Sequence, residues 1–349
     1  MGVHGHLQGR RAAQRPVGPG RRAVEGLGLK LSVVVSSHDR PLRLRWLLNA
    51  LEEQTLDRGA WEVVVAHDSS DSQTEELLRA HPLATAGVLR HLTFEPGPGP
   101  AAKRNAAWRL ARAETIVFTD DDCRPPADWL ANALAAVERH PGAIVQGTTR
   151  VDPDELAVRH HAPHARSQEV TPPTAFAQTC NIAYPRALLE QAGGFDEALP
   201  LAAGEDTDLA IRAQSLGAQL VAAPEVLTYH AVEAVTLPAR LRETWRWQHL
   251  AYIVRRHPQL REQMPLRLFW KPSHAYLIPA LAGLGLARRH PLLAALLVLP
   301  WALVARPSYG SGPRGLARAA SELPARMAVD VAETAAMVRG SVRHRTPML

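Results

Sequence analysis

Thr115-Ile116-Val117-Phe118-Thr119-Asp120-Asp121-Asp122 decides how the chain is read. The unbroken run of β-branched and aromatic residues has the pattern of a buried strand. Three carboxylates follow it without a spacer. Like charges a few ångströms apart raise each other's free energy unless a cation lies between them. A hard divalent ion, Mg²⁺ or Mn²⁺, takes oxygen ligands from one or two carboxylates and from substrate phosphates. A diphosphate leaving group needs that neutralisation in its transition state. An aspartate-rich solvated loop is the plain alternative, so the surrounding sequence has to decide.

Upstream, Leu31-Ser32-Val33-Val34-Val35 is a short β-branched run, and residues 41–53 then place Leu44, Leu47, Leu48 and Leu51 at helical spacing. A second unit repeats the order: strand 61–66, loop 67–72, helix 74–80. A third strand is expected over 89–94, a break at Pro96-Gly97-Pro98-Gly99-Pro100, and a helix over 101–113. Downstream come a strand over 143–151, a mobile loop over 152–173 rich in His and Pro, an extended segment 178–184, and helices over 186–192 and 206–216. Alternating strands and helices predict an α/β domain with a mainly parallel sheet and helices on both faces. In such sheets ligands bind beyond the carboxyl ends of the strands, where the loops at Asp68 and Asp120 lie.

The charge distribution excludes one class of partner. The chain carries +6, but six basic residues against Glu25 put +5 before Leu31, and seven arginines against three acids put +4 after Ala305. The body is left at −3, which does not suit a nucleic-acid-binding domain; basic ends suit an anionic membrane surface. Two cysteines, Cys123 and Cys180, make no disulfide framework, so a reducing compartment is expected. Residues 1–30, dense in Gly, Arg and Pro, read as a disordered basic tail.

Six ordered motifs carry a resemblance to a known family: VVVSSHDR (33–40), VVVAHDSS (63–70), AAKRNAAW (101–108), FTDDDCRP (118–125), GGFDEAL (193–199) and GEDTDLAIR (204–212). Together they resemble the family 2 glycosyltransferases, whose nucleotide-sugar-binding fold is called GT-A. The resemblance runs from Leu31 to His230 and more loosely to Trp247. It implies a metal-dependent, inverting transferase of hexosyltransferase type that uses a nucleotide-diphosphate sugar donor and Mn²⁺ or Mg²⁺.

Asp120 and Asp122 match the ends of the family's DxD signature. Asp122 is implied as metal ligand and Asp120 as a contact to donor ribose or metal-bound water, with Asp121 between them on the donor side. His230 matches a histidine that completes the metal site. Arg40, Asp39, Asp68 and Arg104 match donor-side positions. Where the family carries two acids after the second strand, this chain has His67-Asp68, so either residue stands at the base-contacting position. Glu205-Asp206 matches an acidic pair at the start of a helix facing the acceptor, with Asp206 favoured as general base and Glu205 as runner-up. Helix capping is the structural alternative for that pair. Residues 243–247 (ETWRW) are similar to the QxxRW signature of processive synthases but begin with Glu.

The transferase domain is expected over 31–250 and a helical, membrane-associated region over 251–349. Two apolar runs, 275–287 and 291–305, flank Arg288-Arg289-His290. Each is shorter than the roughly 20 residues of a straight span, which predicts a re-entrant or interfacial hairpin, with a soluble hairpin as the alternative. Over 316–342, Leu316, Ala320, Leu323, Met327, Val331 and Ala335 form an apolar helical stripe. The expectation is an enzyme at the cytoplasmic face of the cell membrane, or free in the cytoplasm, with a lipid-linked or envelope-glycan acceptor. Two competing readings are an inactive nucleotide-sugar or membrane-binding module and a metal-dependent nucleotidyltransferase. The first would show broken acidic motifs, and the second a phosphate-cradling glycine loop.

Overall fold

The computed structural model describes residues 28–349; all but the last three residues of the basic stretch 1–30 lie outside them. The strands are β1 (Leu31–Ser37), β2 (Trp61–His67), β3 (Leu89–Thr93), β4 (Thr115–Asp120), β5 (Cys123–Arg124), β6 (Ile144–Val151), β7 (Asn181–Pro185) and β8 (Leu220–His230). The α-helices are α1 (Pro41–Glu52), α2 (Ser72–Ala80), α3 (Pro82–Thr85), α4 (Pro100–Leu110), α5 (Trp129–Arg139), α6 (Leu156–His161) and α7 (Arg186–Ala192). They continue as α8 (Glu205–Ser215), α9 (Leu237–Glu243), α10 (Leu250–Arg256), α11 (Pro272–Leu286), α12 (Pro291–Ala305) and α13 (Pro313–His344). The chain divides into two compact units. One comprises residues 28–150, 169–200 and 212–230, and the other 151–168, 201–211 and 231–349.

The first unit is built on one eight-stranded sheet of order β3-β2-β1-β4-β7-β6-β8-β5. The four strands β3, β2, β1 and β4 are parallel, and Val33, Val34, Val35, Val63, Val64 and Val65 are all fully buried. Strands covered on both faces need continuous rather than alternating apolar sequence, which is why these runs were legible. The expectation is a mainly parallel mixed sheet, and the antiparallel share is larger than that: β4 pairs β7, β7 pairs β6, and β8 pairs β5 in antiparallel fashion. The sheet is mixed, with the parallel strands β3, β2, β1 and β4 at one side and the antiparallel pairings from β4 onward. The register sets Ser37 beside His67 and Ser36 beside Asp120, bringing the carboxyl ends of β1, β2 and β4 to one edge.

The segment 152–173 is not a structureless loop. It holds a 3₁₀ turn (Pro153–Glu155) and α6, then a bridge of Arg166 to Glu233 in the second unit and one of Val170 to Thr149 in the first. The second unit is otherwise helical. Its apolar runs form α11 and α12, 15 residues each, packed on one another across residues 287–290. Among the described residues no helix is long and apolar enough to cross a membrane. The last helix, α13, runs for 32 residues, and the face it buries is not the aliphatic stripe read from the sequence. Ala319, Glu322, Asp330, Glu333, Ala336, Met337 and Gly340 are buried, while Leu316 and Val331 are exposed. The inward acids have partners: Trp301 Nε1 donates to Asp330 at 2.9 Å, Lys271 Nζ to Glu333 at 2.6 Å and the Tyr309 hydroxyl to Glu322 at 2.6 Å.

Candidate active site

The three aspartates at the end of β4 differ in their shortest contacts, although Arg40 Nη1 reaches both Asp122 and, at 3.5 Å, Asp121. Asp120, the last strand residue, accepts from Arg104 Nη2 at 2.9 Å. Asp121 turns back under β1 and accepts from the Ser37 hydroxyl at 2.7 Å. Asp122 accepts from Arg40 Nη1 at 2.8 Å, and His230 Nε2 lies 3.3 Å from its other oxygen. The antiparallel pairing of β5 with β8, in which Cys123 faces His230, places the histidine there across more than a hundred residues of sequence. Burial and the Asp122 carboxylate push Asp121 up to about 6 from 3.8, against the pull of Arg40 and Ser37.

Ligand atoms of Asp122, Cys123 and His230 lie within 4.8 Å of one another, a spacing one metal ion can span. A carboxylate and an imidazole are ordinary ligands of Mn²⁺ or a similar divalent ion. The residues fit the group. The Cys123 thiol points to the Cys180 carbonyl at 3.6 Å, and burial holds it well above its ordinary range, so it stays protonated. Cys123 was not singled out in the sequence; its position directly after the triplet was the available signal. Asp120, the other end of the DxD match, is not in this group and lies with Arg104.

On the β1 and β2 side, Asp39 adopts a left-handed backbone (φ 49°), which its carboxylate stabilises by accepting from Ser70 N at 2.7 Å and from the Ser70 hydroxyl. His38, exposed, has Nδ1 at 3.0 Å from Asp68. Asp68 itself is buried and ion-paired with Lys103, whose ammonium also donates to the Ser37 carbonyl at 2.9 Å. Burial draws that lysine below its ordinary range although Asp68 opposes the shift. His67 faces the other way, buried against Glu75 (3.1 Å) and Thr93. Of the two residues at this position, only Asp68 reaches the edge.

Lys103 was also missed. A helix with alanine on both sides of a Lys-Arg pair is the trace it leaves, because small neighbours let α4 press its cations into the sheet edge. Arg104 is 6% exposed and lies over the Phe195 ring. Next to it, Asn105 accepts from Phe195 N at 2.9 Å and from Trp108 Nε1, and donates to the Phe195 carbonyl. This clamp needs Gly194, whose φ is +73° and where a Cβ would come within 2.4 Å of Asn105 Oδ1.

In the second unit, Glu205, Asp206 and Asp208 lie in the first turn of α8, where the helix dipole favours negative charge. They differ in exposure. Glu205 is buried and accepts from Ala203 N at 2.9 Å. Asp208, not singled out beforehand, is fully buried and held by His257 Nε2 at 2.8 Å and Arg256 at 3.4 Å. Asp206 is partly exposed, one carboxylate oxygen accepting from Thr207 N.

The family described as "Glycosyl transferase family group 2" matches residues 115–309, more than half of the chain, and "Glycosyl transferase family 2" matches residues 32–193. The chain belongs to the family 2 glycosyltransferases. Over 112 residues this family 2 member is 30% identical to the poly(ribitol-phosphate) beta-N-acetylglucosaminyltransferase TarS of Staphylococcus aureus, which is 32% of this chain and 19% of that protein. It is 26% identical over 274 residues to the validoxylamine A glucosyltransferase of Streptomyces hygroscopicus subsp. jinggangensis, covering 69% of this chain and 63% of that one. It thus spans less than two thirds of the length of either relative. The solved structure of the mannosyltransferase PcManGT from Pyrobaculum calidifontis, in complex with GDP-Man and Mn²⁺, has a TM-score of 0.51 at 20% identity, over 91% of this chain and 87% of that one. That likeness is one of fold, and the mixed α/β sheet described above matches GT-A.

Proposed function

We propose that this chain is a metal-dependent, inverting glycosyltransferase that moves a sugar from a nucleotide-diphosphate donor to a hydroxyl of a lipid-linked or cell-envelope glycan at the cytoplasmic face of the membrane. The observation that carries this reading is the strand-end carboxylate edge, where Asp122 and His230 converge beside an Asp121 too deeply buried to ionise in the ordinary range. Asp122 and His230 would hold Mn²⁺ or Mg²⁺, which when bound supplies neutralising charge to the departing diphosphate. Arg104 steadies Asp120 for the donor ribose, and Asp39 with His38 and Asp68 shapes the end of the donor site. Asp206, the more exposed acid of its pair, takes the proton of the acceptor hydroxyl as that oxygen bonds to the anomeric carbon and the bond to the diphosphate breaks. The single displacement inverts the sugar carbon. PcManGT, a mannosyltransferase solved with GDP-Man and Mn²⁺, supports the choice of donor class and metal. TarS, named for a poly(ribitol-phosphate) acceptor, supports an envelope polymer.

Thermal shift against a panel of nucleotide sugars, with and without Mn²⁺, tests the reading. A donor or nucleoside diphosphate that stabilises the protein only with metal is the expected result; the absence of any metal-dependent shift sinks it. Asp206→Asn is expected to abolish transfer while keeping donor binding, whereas Asp122→Ala weakens both. Full transfer by Asp206→Asn would place the base elsewhere.

A further inference from the structure

In α12 residues 292–304 include no charged side chain, so by sequence alone the helix has no preferred outer face. Packing in the second unit creates one. Ala294 and Trp301 turn inward, Trp301 onto the Asp330 carboxylate, and Gly283 of α11 lets the two helices close against each other, its missing Cβ lying 2.9 Å from Leu297. Outward, Leu292 (87% exposed), Leu296 (68%), Leu299 (55%) and Leu303 (53%) lie at i, i+4, i+7 and i+11. They form one stripe along the whole helix, and Ile278, Leu281 and Leu284 of α11 are also exposed.

Charge names the occupant. Between Glu262 and Glu322 the sequence has no acidic residue; Lys271 and Arg318 are engaged with Glu333 and Glu322, and Arg267, Arg288, Arg289, Arg306 and Arg314 are exposed. Cations precede α11, separate the helices and follow α12. A second copy docking by the same face would bring two cationic rims together. An anionic lipid leaflet satisfies both the leucines and the arginines.

We propose that the outer stripe of α11 and α12 seats the protein on an anionic membrane, with both helices lying in the plane of one leaflet rather than entering it as a re-entrant hairpin. Each helix is about 22 Å long against a hydrocarbon core of about 30 Å. An inserted hairpin would carry Arg288 and Arg289 at its tip into hydrocarbon, where a guanidinium is costly. Lying flat, the leucines reach the acyl boundary while the exposed Arg267, Arg288, Arg289, Arg306 and Arg314 stay at the phosphates. The inference rests on the proposed membrane-presented acceptor and adds how the chain attaches there.

The test uses the full chain. Flotation with vesicles of phosphatidylcholine containing about one third phosphatidylglycerol is expected to recover the protein, with binding at least about tenfold weaker on phosphatidylcholine alone. Leu296→Glu with Leu299→Glu, both at exposed positions, is expected to abolish flotation while retaining the metal-dependent donor shift. Nitroxide labels on Leu292→Cys, Leu296→Cys and Leu303→Cys are expected to report one shallow depth on the vesicles. Depths graded along the helix would establish insertion and overturn the in-plane seat. Failure to float, or dimerisation that buries the labels in solution, also overturns it. Wild-type flotation without any donor shift would sink the transferase reading alone, and a donor shift without flotation would sink this inference alone.

Discussion

Asp121 shows how burial and a neighbouring carboxylate set the titration of one residue. Its acid is favoured by burial up to about 6, so between the unfolded value of 3.8 and about 6 the folded state binds the extra proton. Stability from this group is therefore complete below about pH 4 and is lost as pH rises through about 6, a difference on the order of 2–3 kcal/mol at most. Asp121→Asn, which cannot ionise, is expected to unfold at higher denaturant than wild type at pH 7.5 and at nearly the same concentration at pH 4, in metal-free buffer. Equal gains at both pH values would count against the assignment. Three adjacent carboxylates were evident from the sequence. Their nearest partners Arg104, Ser37 and Arg40 were not, because each depends on a different neighbouring element.

At the scale of elements, α4 and the turn after α7 act together through Asn105 and Gly194. Gly194→Ala combines a disfavoured positive φ with an overlap on Asn105 Oδ1, and is expected to destabilise by about 2–4 kcal/mol in chemical denaturation. Asn105→Ala, which leaves Phe195 N and Trp108 Nε1 without their acceptor, is expected to cost about 1–3 kcal/mol. The glycine pair stands in the GGFDEAL motif, but the asparagine that reaches Phe195 beside it from 90 residues away was not legible. The helix α13 teaches the same point. Its aliphatic stripe is the natural inner face by periodicity, yet Asp330 and Glu333 face inward because Lys271, His274 and Trp301 meet them there.

For the whole molecule, acid sensitivity is expected in both units. Burial alone would raise Glu333, but His274 and Lys271 outweigh it and bring the carboxyl to about 2. In the first unit burial is likewise outweighed at Glu75 by Thr93, His91 and His67, again to about 2. Both acids contribute stability that is present above about 4.5 and lost as pH falls toward 2. Wild-type stability followed by denaturation is expected to fall across that window, and Glu333→Gln to flatten part of the fall. An unchanged slope in that variant would show the pair to be energetically silent.

The sequence by itself determined the alternation of strands and helices, the carboxyl-end position of the aspartates and the helical hairpin, since each follows from periodicity and punctuation among near neighbours. Only the tertiary structure decided how much of the sheet is antiparallel, that Arg104, Ser37 and Arg40 divide the three aspartates among them, and that Leu292 to Leu303 face outward. Those depend on strand order, register and packing between residues distant in the chain. An apolar helix without a polar side, or a triplet of identical acids, contains no local difference from which such choices can be read.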